Sequence, residues 1–282
     1  MQITRITVLG AGTMGHGIAH AAIAGGYVTR MYDVAQPALD SGRAAIEQIV
    51  RKGVELGKAT AADADAMLRR LTVTTSLADA LSDAQLVIEA APERIDLKLD
   101  LFQQIERHAP ANAVIASNTS ALSITEMAGS LSDPSRVAGM HFFNPVYKMK
   151  LVEIVRALES RPAALDTIEA VSRQMGKETV LVRESPGFIT TRVNASIGNE
   201  AFYMLMEGVA SARDIDKALK LGLNHPMGPF ELVDLVGLDT RLSILEYLHK
   251  SMGEKYRPCP LLAQYVKAGR LGRKVGKGVY EY

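Results

Sequence analysis

An α/β fold, a doubly wound parallel sheet followed by an all-α C-terminal domain, is predicted by three observations. Up to about residue 183, short β-branched runs alternate with longer stretches of helical period, the pattern of a mostly parallel sheet covered by helices on both faces. A glycine-rich turn stands between the first such strand and the first helix. After Ser185-Pro186-Gly187 the style changes to segments rich in Ala, Leu and Met, broken at Gly222, Pro226, Gly228, Pro229, Gly237, Pro258 and Pro260, which read as helices joined by short connections. Ser-Pro-Gly marks the boundary because proline disfavours helix for the residue before it and glycine relaxes the backbone. Domains are therefore expected at 1–185 and 186–282.

Strands are expected at 3–9, 27–32, 72–75, 86–90, 114–117, 137–143, 151–155 and 179–182, each a short run rich in Val, Ile, Thr or aromatic residues. The stretch after Gly15 carries Ile18, Ala21 and Ala22 at helical spacing. A longer helical stretch follows Asp33. No internal repeat or low-complexity tract interrupts the pattern.

Composition narrows the class. The 282 residues carry 32 basic and 31 acidic side chains, a net charge of +1, which argues against a protein built to hold nucleic acid or an anionic membrane. Hydrophobic residues at 48% and charged residues at 22% describe an ordinary globular chain. Cys259 is the single cysteine, too few for a disulfide framework or a multi-cysteine metal site. With no apolar run near the roughly 20 residues that span a bilayer and no secretory signal at the N-terminus, a soluble protein of a reducing compartment, the cytoplasm, is expected.

The strongest local motif is Gly10-Ala11-Gly12-Thr13-Met14-Gly15, with a strand before it and a helix after it. Asp33 ends the second strand, near the roughly 20-residue spacing at which the dinucleotide fingerprint places an acid. The whole unit predicts a Rossmann-type site. Gly10 permits the tight turn, Gly12 lets the backbone approach a pyrophosphate, and Gly15 allows helix and strand to pack closely. The helix N-terminus at Thr13 and Met14 offers N–H groups and partial positive charge. Asp33 would accept hydrogen bonds from ribose hydroxyls and repel a 2′-phosphate, and Val34, Ala35 and Gln36 bring no cation, so NAD is expected over NADP.

His16 and His20 have the i, i+4 spacing of the H-E-x-x-H zinc motif, but Gly17 stands in the place of the glutamate. They are read as two histidines beside a nucleotide site, and no metal is expected. No G-x-x-x-x-G-K-[ST] loop is present to support ATP hydrolysis.

A second chemical region runs from Ser117 to Glu153. Ser117-Asn118-Thr119-Ser120 ends a strand whose C-terminal edge should face the ligand crevice. His141 lies in Gly139-Met140-His141-Phe142-Phe143-Asn144-Pro145, and Glu153 follows in Leu151-Val152-Glu153-Ile154-Val155. A carboxylate on one imidazole nitrogen would make His141 a tuned general base. Read locally, a core histidine with satisfied hydrogen bonds is the commoner outcome. A carboxylate in so apolar a strand as Glu153 nevertheless needs a partner.

The segments GAGTMGHGIA, VIEAAPERIDLK, ASNTSAL, GMHFFNPV-x-x-MKLVEIV, ESPGFI, HPMGPFELVDLVGLD and GRLGRKVGKGVYEY span nearly the full length in one order. By them the chain resembles the 3-hydroxyacyl-CoA dehydrogenases, and their short-chain 3-hydroxybutyryl-CoA branch in particular. The resemblance implies NAD-linked interconversion of a (3S)-3-hydroxyacyl-CoA and a 3-oxoacyl-CoA, on a homodimer whose first domain binds NAD and whose second serves substrate binding and dimerisation. Carried over by position, it makes His141 the catalytic base, Glu153 its orienting carboxylate and Ser120 a partner of the substrate's 3-oxygen. It places Glu93, Lys98, Asn118, Asn144 and Lys274 at the cofactor.

One position departs from the family. Where an asparagine commonly follows Pro-Gly-Phe-Ile-x, this chain has Thr191, whose hydroxyl is shorter and offers one donor instead of two. Asn194, one helical turn on, is the alternative bearer of that role. Arg51, Lys52 and Lys58 could meet the phosphates of coenzyme A, or form an ordinary solvated helix face. The apolar stretches 188–206 and 230–248 suggest burial against a second subunit. Two rival functions stand beside this reading. One is oxidation of a free hydroxy acid of gulonate or carnitine type on the same fold. The other is a non-catalytic dinucleotide-binding protein.

Overall fold

The computed structural model describes residues 2–282. The chain divides into two compact units, one ending at Glu184 and one running from Ser185 to Tyr282.

The first unit is an eight-stranded sheet: β1 (Arg5–Leu9), β2 (Val28–Tyr32), β3 (Leu71–Thr74), β4 (Leu86–Glu89), β5 (Val114–Ser117), β6 (Val137–Phe142), β7 (Leu151–Arg156) and β8 (Glu178–Arg183). Their spatial order is β3-β2-β1-β4-β5-β6-β7-β8. All eight expected strands are present, with no end shifted by more than two residues. Every neighbouring pair is parallel except β6 and β7. Because the chain winds from β1 outward to β3 and then crosses to β4, a crevice is left beyond the carboxyl ends of β1 and β4, where open α/β sheets bind ligands.

Helices α1 (Thr13–Ala24), α2 (Gln36–Glu55), α3 (Ala61–Leu68), α4 (Leu77–Leu81), α5 (Ile95–His108), α6 (Ile124–Ala128) and α7 (Pro162–Gln174) fill the connections. The central strands β4, β5 and β6 are buried along their whole length, as strands covered on both faces must be. The edges β3 and β8 are far more open. Helix α1 buries seven of its twelve residues, five of them Gly or Ala. Such small side chains let it lie close to its neighbours. Helix α2 is amphipathic instead, burying Leu39, Gly42, Ile46 and Val50, one residue per turn.

The second unit is all-helical: α8 (Thr190–Met206), α9 (Ala212–Gly222), α10 (Pro229–Val236), α11 (Leu238–Met252) and α12 (Pro260–Lys267). Its core gathers Ala195, Phe202, Phe230, Val233, Leu245 and Leu262. Two buried aspartates tie the final segment to it. Asp216 accepts from the Phe230 and Glu231 amides and the Tyr280 hydroxyl, while Asp234 accepts from the Val279 and Tyr280 amides and the Tyr282 hydroxyl. Cys259 is buried beside this core, its amide held by Asn199. Among the described residues no helix is long and apolar enough to cross a membrane.

Candidate active site

The glycines of the first turn divide by what surrounds them. Gly10 has φ of +105°, and a Cβ there would lie 2.7 Å from the Ala90 carbonyl oxygen. A Cβ on Gly15 would lie 1.8 Å from the Gly10 carbonyl oxygen. Both positions admit only glycine for internal reasons. Around Gly12, by contrast, nothing lies within 4 Å of such an atom. Gly12 is also the N-cap of α1, with no side-chain cap and no acid in the first turn. The first N–H groups of the helix, from Thr13 and Met14 onward, therefore face an open cradle with no competing carboxylate, the arrangement that accepts a pyrophosphate.

Asp33 closes the other side. Its carboxylate accepts from the Ala11 amide (2.8 Å) and the Ala35 amide (3.1 Å), which fixes it at the mouth of the turn. Arg30, the nearest upstream cation, is drawn away to Asp83 (2.8 Å) and the Asp79 carbonyl. A 2′-phosphate would meet only the carboxylate. The donor set fits NAD.

At the ends of β4 and β5 the side chains form one connected cluster. Lys98, 1% exposed, donates to Glu89 (2.5 Å) and to the Ala91 carbonyl (3.2 Å), and lies 3.5 Å from Glu93. Its ammonium is thus engaged by the protein's own acceptors, two through hydrogen bonds and Glu93 through charge. Glu89 also takes the Ser117 hydroxyl (2.5 Å) and the Ala91 amide (2.7 Å). Glu93 accepts from the Thr119 hydroxyl (2.6 Å), the Ser120 amide (2.9 Å) and the Ser120 hydroxyl (3.2 Å). Glu89 is the residue that sequence reasoning passed over here. Its signal was an acid closing an otherwise apolar strand, the same signal that marked Glu153.

The Asn118 side chain accepts from the Phe142 amide (2.8 Å), tying the Ser120 loop to β6 one residue from His141. His141 and Glu153 are directly opposed residues of the antiparallel β6/β7 pair, so their side chains emerge on one face of the sheet. The imidazole Nδ1 lies 2.7 Å from the Glu153 carboxylate. Glu153 is completely buried and His141 is 6% exposed. The contact occupies Nδ1 and leaves Nε2 as the ring nitrogen open to another partner. The Phe143 ring packs 4.5 Å from the imidazole.

The i, i+4 histidines of α1 sit differently. His16 Nδ1 is 2.9 Å from the Gly12 carbonyl oxygen. His20 is largely buried, and burial, Lys177 and His16 push its pKa down to about 4.

Arg51 and Lys52 are exposed on α2, where Lys52 pairs with Glu55 (2.8 Å), and Lys58 is exposed beyond its end. Asn144 is exposed in the turn after β6. In the second unit, Lys274 pairs with Asp239 (2.6 Å), and Thr191 and Asn194 are both half-buried in the first two turns of α8.

Comparison with known proteins agrees with this geometry. Residues 5–185 match the family model of the 3-hydroxyacyl-CoA dehydrogenase NAD binding domain, and residues 187–282 match that of the C-terminal domain. A probable 3-hydroxybutyryl-CoA dehydrogenase of Bacillus subtilis is 46% identical over 284 residues, covering 100% of this chain and 98% of the relative. A 3-hydroxybutyryl-CoA dehydrogenase of Bradyrhizobium diazoefficiens is 41% identical, covering 99% and 96%. The crystal structure of the (S)-3-hydroxybutyryl-CoA dehydrogenase from Ralstonia eutropha superposes with a TM-score of 0.96 at 43% identity, covering 100% and 99%. With the glycine turn, the acid after β2 and both halves of the chain accounted for, this NAD-dependent oxidoreductase belongs to the 3-hydroxyacyl-CoA dehydrogenase family.

Proposed function

We propose that the protein interconverts (3S)-3-hydroxybutyryl-CoA and acetoacetyl-CoA, with His141 as the general base and acid. The observation that carries this reading is the opposed His141–Glu153 pair, 2.7 Å apart inside the sheet. Names borne by relatives over their full lengths support the substrate.

With Nδ1 held by Glu153, Nε2 is the nitrogen that exchanges a proton with the substrate hydroxyl. As the imidazolium forms, Glu153 offsets its charge, and in the reverse direction Nε2–H returns the proton to the forming alkoxide. The Ser120 hydroxyl orients the 3-oxygen. When bound, NAD supplies the hydride acceptor at its nicotinamide ring. Glu93, Asn118 and Asn144, with Lys98 acting through Glu93, line the approach to that ring. From the second unit Thr191 bonds the thioester end of the substrate and Lys274 adds a cofactor contact. Arg51, Lys52 and Lys58 meet the coenzyme A phosphates. The chain works as a homodimer through its helical unit, where Ile189, Val193, Met206 and Leu235 are about half exposed in one chain.

The test is reduction of acetoacetyl-CoA by NADH, followed at the nicotinamide absorbance, with free acetoacetate as the parallel substrate. Turnover of the thioester and not of the acid is expected. Faster turnover of the free acid would move the protein to the hydroxy-acid branch of the fold, and no turnover of either would leave a cofactor-binding protein without this chemistry.

A further inference from the structure

One of the buried cations has no part in the reaction as described. Lys177, between α7 and β8, is 8% exposed. Its ammonium donates to the carbonyl oxygens of Val146 (2.5 Å) and Met149 (2.8 Å). Among the described residues it has no carboxylate partner within ion-pair distance, and burial holds its pKa below the ordinary lysine value.

Both carbonyls belong to the turn at 143–150 that joins β6 to β7. Inside this turn the Lys148 and Met149 amides both donate to the Pro145 carbonyl (3.0 Å each). Val146 is 2% exposed and packs on Gly17 of α1, so closely that a Cβ on that glycine would lie 2.9 Å from it. The Glu178 amide, next to Lys177, takes the Lys150 carbonyl (2.8 Å). The turn is thus held at its middle and its end by two consecutive residues of a distant segment. Its first residue is Phe143, whose ring lies against the imidazole, and its second is Asn144. Charge-assisted hydrogen bonds are roughly twice as strong as neutral ones, so one ammonium shared by two carbonyls makes a stiff clamp where an amide side chain would make a loose one.

We propose that Lys177 is a positioning residue for the reaction. By pinning Val146 and Met149 it fixes the turn that carries Asn144 and seats Phe143 against His141. This inference rests on His141 being the base.

The test uses the full-length protein with Lys177→Met, which keeps the stem and removes the donors, and Lys177→Ala, which leaves room for a small amine. In Lys177→Met, kcat for acetoacetyl-CoA reduction is expected to fall about 10- to 100-fold, as small displacements around a reacting group do, with KM for the thioester changed less than about threefold. Hydrogen exchange at the Lys148 and Met149 amides should accelerate, while amides of β1 and β4 keep wild-type protection. In Lys177→Ala, n-propylammonium should restore both kcat and turn protection. Tetramethylammonium, which carries the charge without an N–H, should restore neither. Should Lys177→Ala fail to fold, Lys177→Met alone decides. A kcat within twofold of wild type despite faster turn exchange would overturn the proposal, leaving Lys177 as a structural clamp. A lost kcat with unchanged turn exchange would overturn it equally, since the route through the turn would be wrong. His141→Gln run alongside separates the two levels: if it stays active the base assignment falls, whatever Lys177 does.

Discussion

His141 and Glu153 were legible in the sequence as a candidate pair, though spacing alone could not bring them together; the antiparallel register of β6 and β7 sets them directly opposite each other. Replacing His141 by Gln should lower kcat by about 10²–10⁴ and leave NADH affinity within a few-fold, measured by steady-state kinetics and fluorescence titration. Glu153→Gln should lower kcat as well, because a neutral amide replaces the charged acceptor that holds Nδ1 at 2.7 Å. At Asp33, removal of the carboxylate by Asp33→Ala should narrow a preference for NAD over NADP that is expected to be at least about tenfold in kcat/KM. Thr191 is the residue where sequence and family part. Thr191→Val should cost about 1–3 kcal/mol in kcat/KM, and if Asn194→Ala carries that loss instead, the hydrogen bond has moved one turn along α8. What the sequence concealed at this scale was pairing. Glu89 and Lys177 touch groups distant in the chain, and no spacing rule announces them.

The glycine turn and α1 were readable as a unit because strand, turn and helix each carry a local signal. Spacing could not tell a glycine kept for the ligand from one kept for the fold. The space around each now separates them. Gly12→Ala should leave the thermal midpoint near wild type and weaken NADH binding, since its Cβ enters only the open cradle. Gly15→Ala should cost more than about 3 kcal/mol of stability, because the Cβ would overlap the Gly10 carbonyl oxygen at 1.8 Å. The same helix carries a pH effect. His20, with its pKa lowered to about 4 by burial, stays neutral in the fold while the unfolded chain protonates near 6.5. The unfolded state therefore binds more protons between those values, and stability declines as pH falls from about 6.5 toward 4, by on the order of 2–3 kcal/mol at most. Urea midpoints of wild type and His20→Gln should converge as pH is lowered through that window.

At the scale of the whole molecule, the change from alternating strands and helices to helices alone was plain in the sequence. The meaning of the late motifs was not. HPMGPFELVD and GVYEY read as family signatures, yet Asp216 and Asp234 within or beside them are buried and spent on closing the helical unit around Tyr280 and Tyr282. A motif can be specific to a family through its packing alone. The half-exposed apolar side chains of that unit lead to the assembly expectation: sedimentation at micromolar concentration should show a dimer of 30.4 kDa chains, and a single-chain species across that range would oppose it.

The reversal of direction between β6 and β7 has a consequence for inheritance. His141 and Glu153 are twelve positions apart, so one contiguous hairpin carries both members of the proposed proton-transfer pair. The remaining contributors are scattered over the ends of other strands. A chain divided between β5 and β6 would still deliver the dyad whole, on a single fragment, whereas one divided within 143–150 would split it. The hairpin is therefore the smallest heritable unit of the proposed dyad. Recombination can exchange the sheet around it and keep the two residues opposed, provided the break points fall outside residues 139–155.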